Sequence, residues 1–320
     1  MKRLYLGVDA SNYTTSAAIC AEGRIIANLK RPLPVREGER GLRQSDAVFA
    51  HVRNFPSLMA ELAPYLADAE VAAVACSTKP RDEEGSYMPC FLAGEAVASA
   101  LCAAYGKPMI PVSHQNGHIM AAVYSAGAEE LLDGEFAAFH VSGGTTEVLF
   151  VRPTGTSFGV ELVGETADIN AGQLIDRVGV MLGLRFPCGP ALEALAAEAD
   201  PRQIPRPRIS VKDCRCNLSG AENMAASLFE KTGDKALVAA FTMEFVARTL
   251  EAMRDDLRLR FPEIPIVFGG GVMSNRMLQS RLGAKGNAYF AEPAFSADNA
   301  AGVALLGWRA AEHGEVSAHG

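Results

Sequence analysis

Short apolar runs broken by polar turns open the chain. Leu4 to Val8 is one such run, Asp9-Ala10-Ser11-Asn12-Tyr13-Thr14-Thr15-Ser16 interrupts it, Ala17 to Cys20 resumes it, and Glu22-Gly23 turns the chain into Arg24 to Leu29. The pattern predicts strand, polar turn, strand, turn, strand. The same plan returns in mid-chain, with Phe136 to Ser142, a Gly/Thr turn, Glu147 to Val151, a turn at Pro153-Thr154-Gly155, and Gly159 to Leu162. Two β-meanders carrying a polar turn at the same point predict a duplicated architecture. A third apolar strand, Ile264 to Phe268, runs into Gly269-Gly270-Gly271. Three Gly- or hydroxyl-rich strand ends are expected to converge on one ligand in a cleft between two lobes.

Helical periodicity fills the intervals. A helix from Ser45 onward is expected to place Val48, Phe49, Val52 and Phe55 on one face and to be interrupted by Pro56. Val71 to Cys76 reads as a buried strand, and Phe91 to Tyr105 as an Ala-rich helix stopped by Gly106 and Lys107-Pro108. Met109 to Val112 is a short strand, and Ser113 is a suitable N-cap for a helix reaching Ser125. Further helices are expected over 166–182, 190–198, 219–230, 234–260 and 274–282, with a last one over 296–312 capped by Ser296. Strands alternating with helices give an α/β class. The irregular insertions are 31–44, 79–89 and 200–217.

Composition narrows this picture. Hydrophobic residues make up 49% of the 320 and charged residues 21%, as in a soluble globular protein. Thirty Lys and Arg stand against 37 acids, net −7, which excludes a uniformly basic nucleic-acid binder but leaves room for a local basic patch. Seven cysteines, an odd number of which only Cys214 and Cys216 are clustered, form no disulfide framework. With no apolar run long enough to span a bilayer, and Asp9 arriving too early for a signal peptide, a cytoplasmic protein is expected.

Four stretches carry candidate chemistry. Val141-Ser142-Gly143-Gly144-Thr145-Thr146 can offer backbone N–H groups to a phosphate, although an ordinary hairpin explains the same residues. His114 and His118, four apart at a helix start, share one face as in other two-His metal sites; the alternative is a pair of solvated imidazoles. A third hard ligand is needed, and Asp298 is one candidate among many carboxylates. The segment Gly164 to Asp168 is expected to open a helix whose first-turn acids complement its dipole. Asp176, set among apolar residues on that helix, either faces out or has a specific partner, and turned inward it can accept ribose hydroxyls. Gly269 to Arg276 reads as strand, glycine turn and helix start, with Asn275 able to bond a base or ribose.

Taken in order, these residues resemble the TsaD family of tRNA threonylcarbamoyladenosine synthases, once labelled glycoproteases. The resemblance runs through Pro111 to His118, Val141 to Thr146, Gly164-Glu165-Thr166 with Asp168, Ala171-Gly172 and Asp176, and Leu182-Gly183-Leu184 with Pro187, Gly189 and Pro190. It continues through Leu218-Ser219-Gly220, Gly269 to Val272 with Asn275-Arg276, and Asp298-Asn299. It implies an actin-like, sugar-kinase-like two-lobed fold built from duplicated RNase H-like subdomains, with lobes at 1–112 and 113–295 and a C-terminal helix, 296–320, returning to the first. It also implies a divalent metal on His114, His118 and Asp298, with Fe, Zn and Mn alike suited and Mg accompanying nucleotide. Val141, Ser142, Gly143, Gly144, Thr145, Asp176, Gly189, Glu193, Gly270 and Asn275 would hold an adenine nucleotide or acyl-AMP, and Asp9, Ser11 and Thr145 would serve catalysis. The implied reaction moves threonylcarbamoyl, or a related acyl group, to adenosine of tRNA. TsaB- and TsaE-like proteins are the implied partners, with no membrane, and a dimer is among the oligomeric states allowed. A catalytically altered paralogue acting as a scaffold, or an ATP-dependent small-molecule carbamoyltransferase or kinase, is the alternative.

The departures cluster at the reactive end. The family's acidic first turn is Asn12-Tyr13-Thr14-Thr15 here, its histidine after Ser-Gly-Gly is Thr145, its Gln is Glu147, and the second Asp of its Asp-Asp pair is Ile169. Its Pro-Gly-Leu segment is replaced by Lys79 to Tyr87. Two basic clusters, Arg202/Arg206/Arg208/Lys212/Arg215 and Arg31/Arg36/Arg40/Arg43, can follow a phosphate backbone or be plain solvated charge. Cys214 and Cys216 read as ordinary thiols, with metal binding or redox response as the alternative.

Overall fold

The computed structural model describes residues 2–11, 13–34 and 42–314. It forms two compact units: Met1–Ser125 with Arg152–Gly159 and Ala294–Gly320, and Ala126–Val151 with Val160–Pro293. The first unit therefore takes in the helix that follows residue 113, where the sequence reading begins its second lobe.

In the first unit, β1 (Lys2–Ser11), β2 (Thr14–Ala21) and β3 (Arg24–Pro32) form the meander. After α1 (Gln44–Leu66), β4 (Ala69–Lys79) pairs parallel to β1, and after α2 (Phe91–Tyr105), β5 (Met109–Ser113) pairs parallel to β4. The sheet order is β3-β2-β1-β4-β5. The expected polar turn at 9–16 is mostly strand: Asp9, Ala10 and Ser11 pair with Ser16, Thr15 and Thr14. Ser113 caps α3 (His114–Ser125), its Oγ accepting the Asn116 N–H at 3.2 Å.

Two expectations for α1 are corrected. Its core face runs Ala47, His51, Phe55, Leu58, Leu62, whereas Phe49 and Val52 are exposed at 64% and 56%. Nor does Pro56 interrupt it, because Pro56 lies on the exposed side, where the carbonyl it leaves unbonded can meet water.

The second unit repeats the plan. The meander β6 (Phe136–Val141), β7 (Thr146–Pro153) and β8 (Phe158–Glu165) is followed by α4 (Ala171–Met181) and α5 (Gly189–Ala196). Next come a small hairpin of β9 (Ser210–Lys212) and β10 (Arg215–Asn217), then α6 (Gly220–Thr232) and α7 (Lys235–Arg260). Strand β11 (Ile266–Gly269), α8 (Arg276–Gly283) and β12 (Ala288–Phe290) complete it. Its sheet order, β8-β7-β6-β11-β12, matches that of the first unit strand for strand. Phe139, Val141, Phe150, Phe268, Leu174 and Val246 are among its buried core residues.

Three helix starts differ from expectation. Residues 166–170 are a loop, because the Asp168 carboxylate is taken up by residues 218–219, and α4 is capped instead by an Asn170/Gln173 capping box. Helix α8, expected from 274, begins at Arg276 with Asn275 as its cap. The final stretch breaks into α9 (Pro293–Ser296) and α10 (Ala301–His313), and Asn299 Oδ1, rather than Ser296, receives the first free amide, that of Ala301, at 3.0 Å.

At Gly302 and Gly7, helix α10 meets α3 and β1 backbone to backbone. A Cβ on Gly302 would overlap the Gly117 carbonyl, and one on Gly7 would lie 2.6 Å from the Ala300 oxygen. Such a seam tolerates no added methyl group. Gly302→Ala is expected to destabilise the first unit by about 3 kcal/mol, read as a lowered midpoint in thermal or urea unfolding.

Candidate functional site

The first unit gathers its polar residues at the end of β1. Asp9 is wholly buried. Its Oδ1 accepts from the Ser77 hydroxyl of β4 and from His114 Nδ1 at 3.0 Å, and its Oδ2 accepts from Ser11 Oγ at 2.7 Å. Burial would push this carboxyl up, but the His114 charge and these hydrogen bonds hold it below the ordinary range. For His114, burial favours the neutral ring, yet Asp9 and then Asp298 raise its pKa to about 9. Because Nδ1 is bound to Asp9, Nε2 is the nitrogen presented outward.

That nitrogen meets two others. His118 Nε2 lies 3.0 Å from His114 Nε2, and Asp298 Oδ1 lies 3.3 Å and 3.8 Å from the two. The rings are edge to face, with centroids 4.4 Å apart. A divalent cation about 2.1 Å from each of the three atoms would see angles of about 90° to 130°, so the set fits three ligands of one metal with further positions open. Asp298 is fixed by its neighbour: Asn299 Nδ2 donates to the Ala297 and Phe295 carbonyls at 2.7 and 3.0 Å. The sequence pairing of His114, His118 and Asp298 is thus a spatial cluster, the one such triad among the described residues.

Sequence reasoning missed His51. It is buried in α1, its Nδ1 lies 2.8 Å from Thr15 Oγ1, and Asn54 Nδ2 donates to the same hydroxyl at 3.0 Å. An imidazole among core positions of an amphipathic helix gives no periodic signal; only its pairing with Thr15 reveals it.

The second unit holds the glycine turn. Ser142 N–H donates to the Thr145 carbonyl at 2.7 Å, and Ser142 Oγ accepts from Gly144 and Thr145 amides at 3.3 and 3.1 Å. These two amides point at the serine rather than outward as expected. The turn is walled by backbone: a Cβ on Gly172 would lie 2.6 Å from Gly143 N, and one on Gly270 (φ +93°) would overlap the Val141 carbonyl. The glycine turn after β11 therefore lies against Val141, just ahead of Ser142–Gly144, while the Asp9 stretch belongs to the other unit.

The remaining expected ligands have local partners. Asp176 is half-buried, accepts the Cys188 N–H at 2.8 Å, and is raised by burial against the opposing effect of that hydrogen bond. Asn275 Oδ1 is spent on the Leu278 amide at 2.9 Å, leaving its Nδ2 as donor. Glu193 Oε1 accepts the Arg276 N–H at 2.8 Å, and a Cβ on Gly189 would meet nothing within 4 Å. Thr146 Oγ1 accepts from Ala171 N at 2.9 Å, and buried Glu147 stands opposite His140 across β6–β7. Cys214 and Cys216 are buried and pushed up to about 11, chiefly by burial, so neither is a reactive thiolate. Arg36 and Arg40 lie outside the described residues.

The family model for tRNA N6-adenosine threonylcarbamoyltransferase, TsaD, matches residues 39–305. A protein of that description from Verminephrobacter eiseniae is 30% identical over 332 residues, covering 95% of this chain and 91% of the relative. Among solved structures, T. kodakarensis HypF superposes with TM-score 0.62 at 13% identity, covering 96% of this chain and 47% of its own. A Clostridium difficile 2-hydroxyisocaproyl-CoA dehydratase activator with bound ADPNP superposes at 0.52 and 15% identity, covering 97% and 96%. The chain spans about half the length of HypF, and the likeness establishes an actin-like, sugar-kinase-like fold.

One interaction here is open to direct measurement. Asp168 accepts from Ser219 Oγ at 2.6 Å and from the Ile169, Leu218 and Ser219 amides at 2.7, 2.8 and 3.1 Å. Partial burial would push its pKa up, but the Ser219 hydroxyl and the three amides hold it well below the carboxylate range. A depressed pKa stabilises the fold above the unfolded value and loses that contribution as pH falls towards the folded one. Asp168→Asn is expected to cost about 1 kcal/mol at neutral pH, allowing for its exposure. In urea unfolding the gap to wild type should narrow as pH falls below about 4.

Proposed function

We propose, on the premise that this chain belongs to the tRNA N6-adenosine threonylcarbamoyltransferase family, that it transfers a threonylcarbamoyl group from threonylcarbamoyl-AMP to N6 of a tRNA adenosine. The observation that carries this is the convergence of His114 Nε2, His118 Nε2 and Asp298 Oδ1 within 3.0 to 3.8 Å, with Asp9 behind His114. A divalent cation held by His114, His118 and Asp298 would supply positive charge for acyl transfer. In the transfer, N6 forms a bond to the carbamoyl carbon, the carbon–oxygen bond to phosphate breaks, and AMP leaves with the electron pair while N6 releases a proton.

The chain's own residues divide the remaining work. Asp9 and Ser11 are buried at 0% and 1% exposure, so they act through His114, fixing which nitrogen it presents, rather than by touching substrate. The backbone and hydroxyl of Val141 to Thr145 hold the adenylate phosphate, with Ser142 Oγ exchanging its internal amide contacts for phosphate oxygens. The oxygen of Asp176 not bound to Cys188 accepts ribose hydroxyls. The bare backbone at Gly189 and Gly270 and the Asn275 Nδ2 meet the nucleoside, and Glu193 steadies this wall through the Arg276 amide. Thr145 places a hydroxyl where the family carries an imidazole, so no ring there takes up the N6 proton. The metal is Fe, Zn or Mn, and TsaB- and TsaE-like proteins are the partners.

Purified protein, the partner proteins, threonylcarbamoyl-AMP and unmodified tRNA are expected to yield the modified adenosine by mass spectrometry. Its absence under conditions where an authentic family member works would overturn the assignment. If no metal were bound either, the scaffold reading would take its place. His114→Ala should reduce bound metal to near zero, and Asp9→Asn should weaken it about 10- to 100-fold with the circular dichroism spectrum unchanged.

A further inference from the structure

The chain carries net −7, yet residues 202–215 hold five cations against the single acid Asp213. Their arrangement is regular. Ile204, Ile209 and Val211 pack against the core of the second unit, and Pro207 is buried. Arg206, Arg208, Ser210 and Lys212 alternate with them and are exposed. Anchored and exposed positions thus alternate from 206 to 212, along an irregular segment that becomes strand β9 at Ser210. Pro205 and Pro207 limit the backbone of the first half, and β9 pairs the second half with β10. The display is held in place before any partner arrives.

The charges are also left unanswered. Arg202 is paired with Asp200 at 3.0 Å and Arg215 with Glu165 at 3.3 Å, but Arg206, Arg208 and Lys212 have no ion-pair partner among the described residues. Lys212 stands directly opposite Arg215 in the β9–β10 ladder, a like-charge pairing that destabilises an isolated hairpin. Cations kept at a small cost, at alternating exposed positions with a hydroxyl at Ser210 among them, match a polyanion.

We infer that Arg206, Arg208 and Lys212 form a rail for the sugar-phosphate backbone of the tRNA acceptor. Ser210 Oγ supplies a neutral hydrogen bond between charges. The rail gives affinity and register and reads no base. It rests on the tRNA acceptor assigned above.

The test is binding of unmodified tRNA to the full chain with its partners, by fluorescence anisotropy across a salt series. Replacing Arg206, Arg208 and Lys212 together by Ala is expected to weaken binding about tenfold at low salt. The slope of log K against log salt should fall by about 2, one increment of ~0.7 per lost phosphate contact. Arg206→Lys with Arg208→Lys should keep the slope. A control triple, Lys2→Ala, Arg24→Ala and Arg53→Ala, removes the same charge from the first unit and should bind like wild type. Wild-type slope and affinity in the rail variant would overturn the rail alone. Equal loss in the control would reduce the effect to net charge and overturn it as well. Failure of the wild type to bind tRNA at all would overturn the acceptor assignment and the rail together.

Discussion

A buried carboxylate is the constraint on which the first unit depends. An uncompensated charge at the position of Asp9 would cost several kcal/mol, so every neighbour must answer it. Ser11 comes from its own strand, Ser77 from the parallel strand β4, and His114 from the first residue of α3. These partners can meet only if β1, β4 and β5 keep their register, since β5 delivers the chain to His114. Once His114 is fixed, helical spacing puts His118 one turn on. Gly117, between them, lets α10 approach through Gly302, and Asp298 arrives just ahead of that helix. A metal-ligand geometry is thereby derived from one charge that must not be left alone.

The second unit has the same strand order but uses it differently. Here β6 ends on the apolar Val141, and the buried Glu147 faces His140 from β7. Instead the backbone of Val141–Gly143 is approached by Gly172 from α4 and by Gly270 from the end of β11. Side chains would hold both walls away. One unit thus fixes side-chain donors around a carboxylate, and the other brings bare backbone together around a turn. Shared topology carries two unrelated site chemistries, as expected when sites are grafted onto a scaffold.

What was legible in the sequence follows the range of the forces involved. Local signals were readable: Phe91–Tyr105 with its left-handed Gly106 stop, Ser113 as the α3 cap, the long helix over 234–260, and the duplicated meander. Signals that depend on a distant partner were not. Asp168 looks like a first-turn acid, but residues fifty positions away claim it and delay α4 to Ala171. Phe49 and Val52 look like core because hydrophobicity alone marks them, whereas the sheet meets the face defined by Ala47, His51 and Phe55. The strands β9, β10 and β12 have three residues each, too few for a period to register. His114, His118 and Asp298 were legible as a set only through resemblance, since no local rule joins residues so far apart in the chain.

The exchange at Thr145 can be argued from the same geometry. The turn is held by Ser142 N–H to the Thr145 carbonyl, and by the Thr145 amide to Ser142 Oγ, at 2.7 and 3.1 Å. Both bonds use the backbone of residue 145, so the turn is indifferent to whether its side chain is imidazole or hydroxyl. Gly172 and Gly270 likewise wall residues 141–143 and leave position 145 untouched. The substitution therefore leaves the backbone frame of the turn intact and alters one half-buried side chain. A threonine there neither titrates near neutral pH nor offers a ring to stack, while a histidine does both. The difference between this chain and its family at position 145 thus lies in one side chain and not in the backbone of the turn.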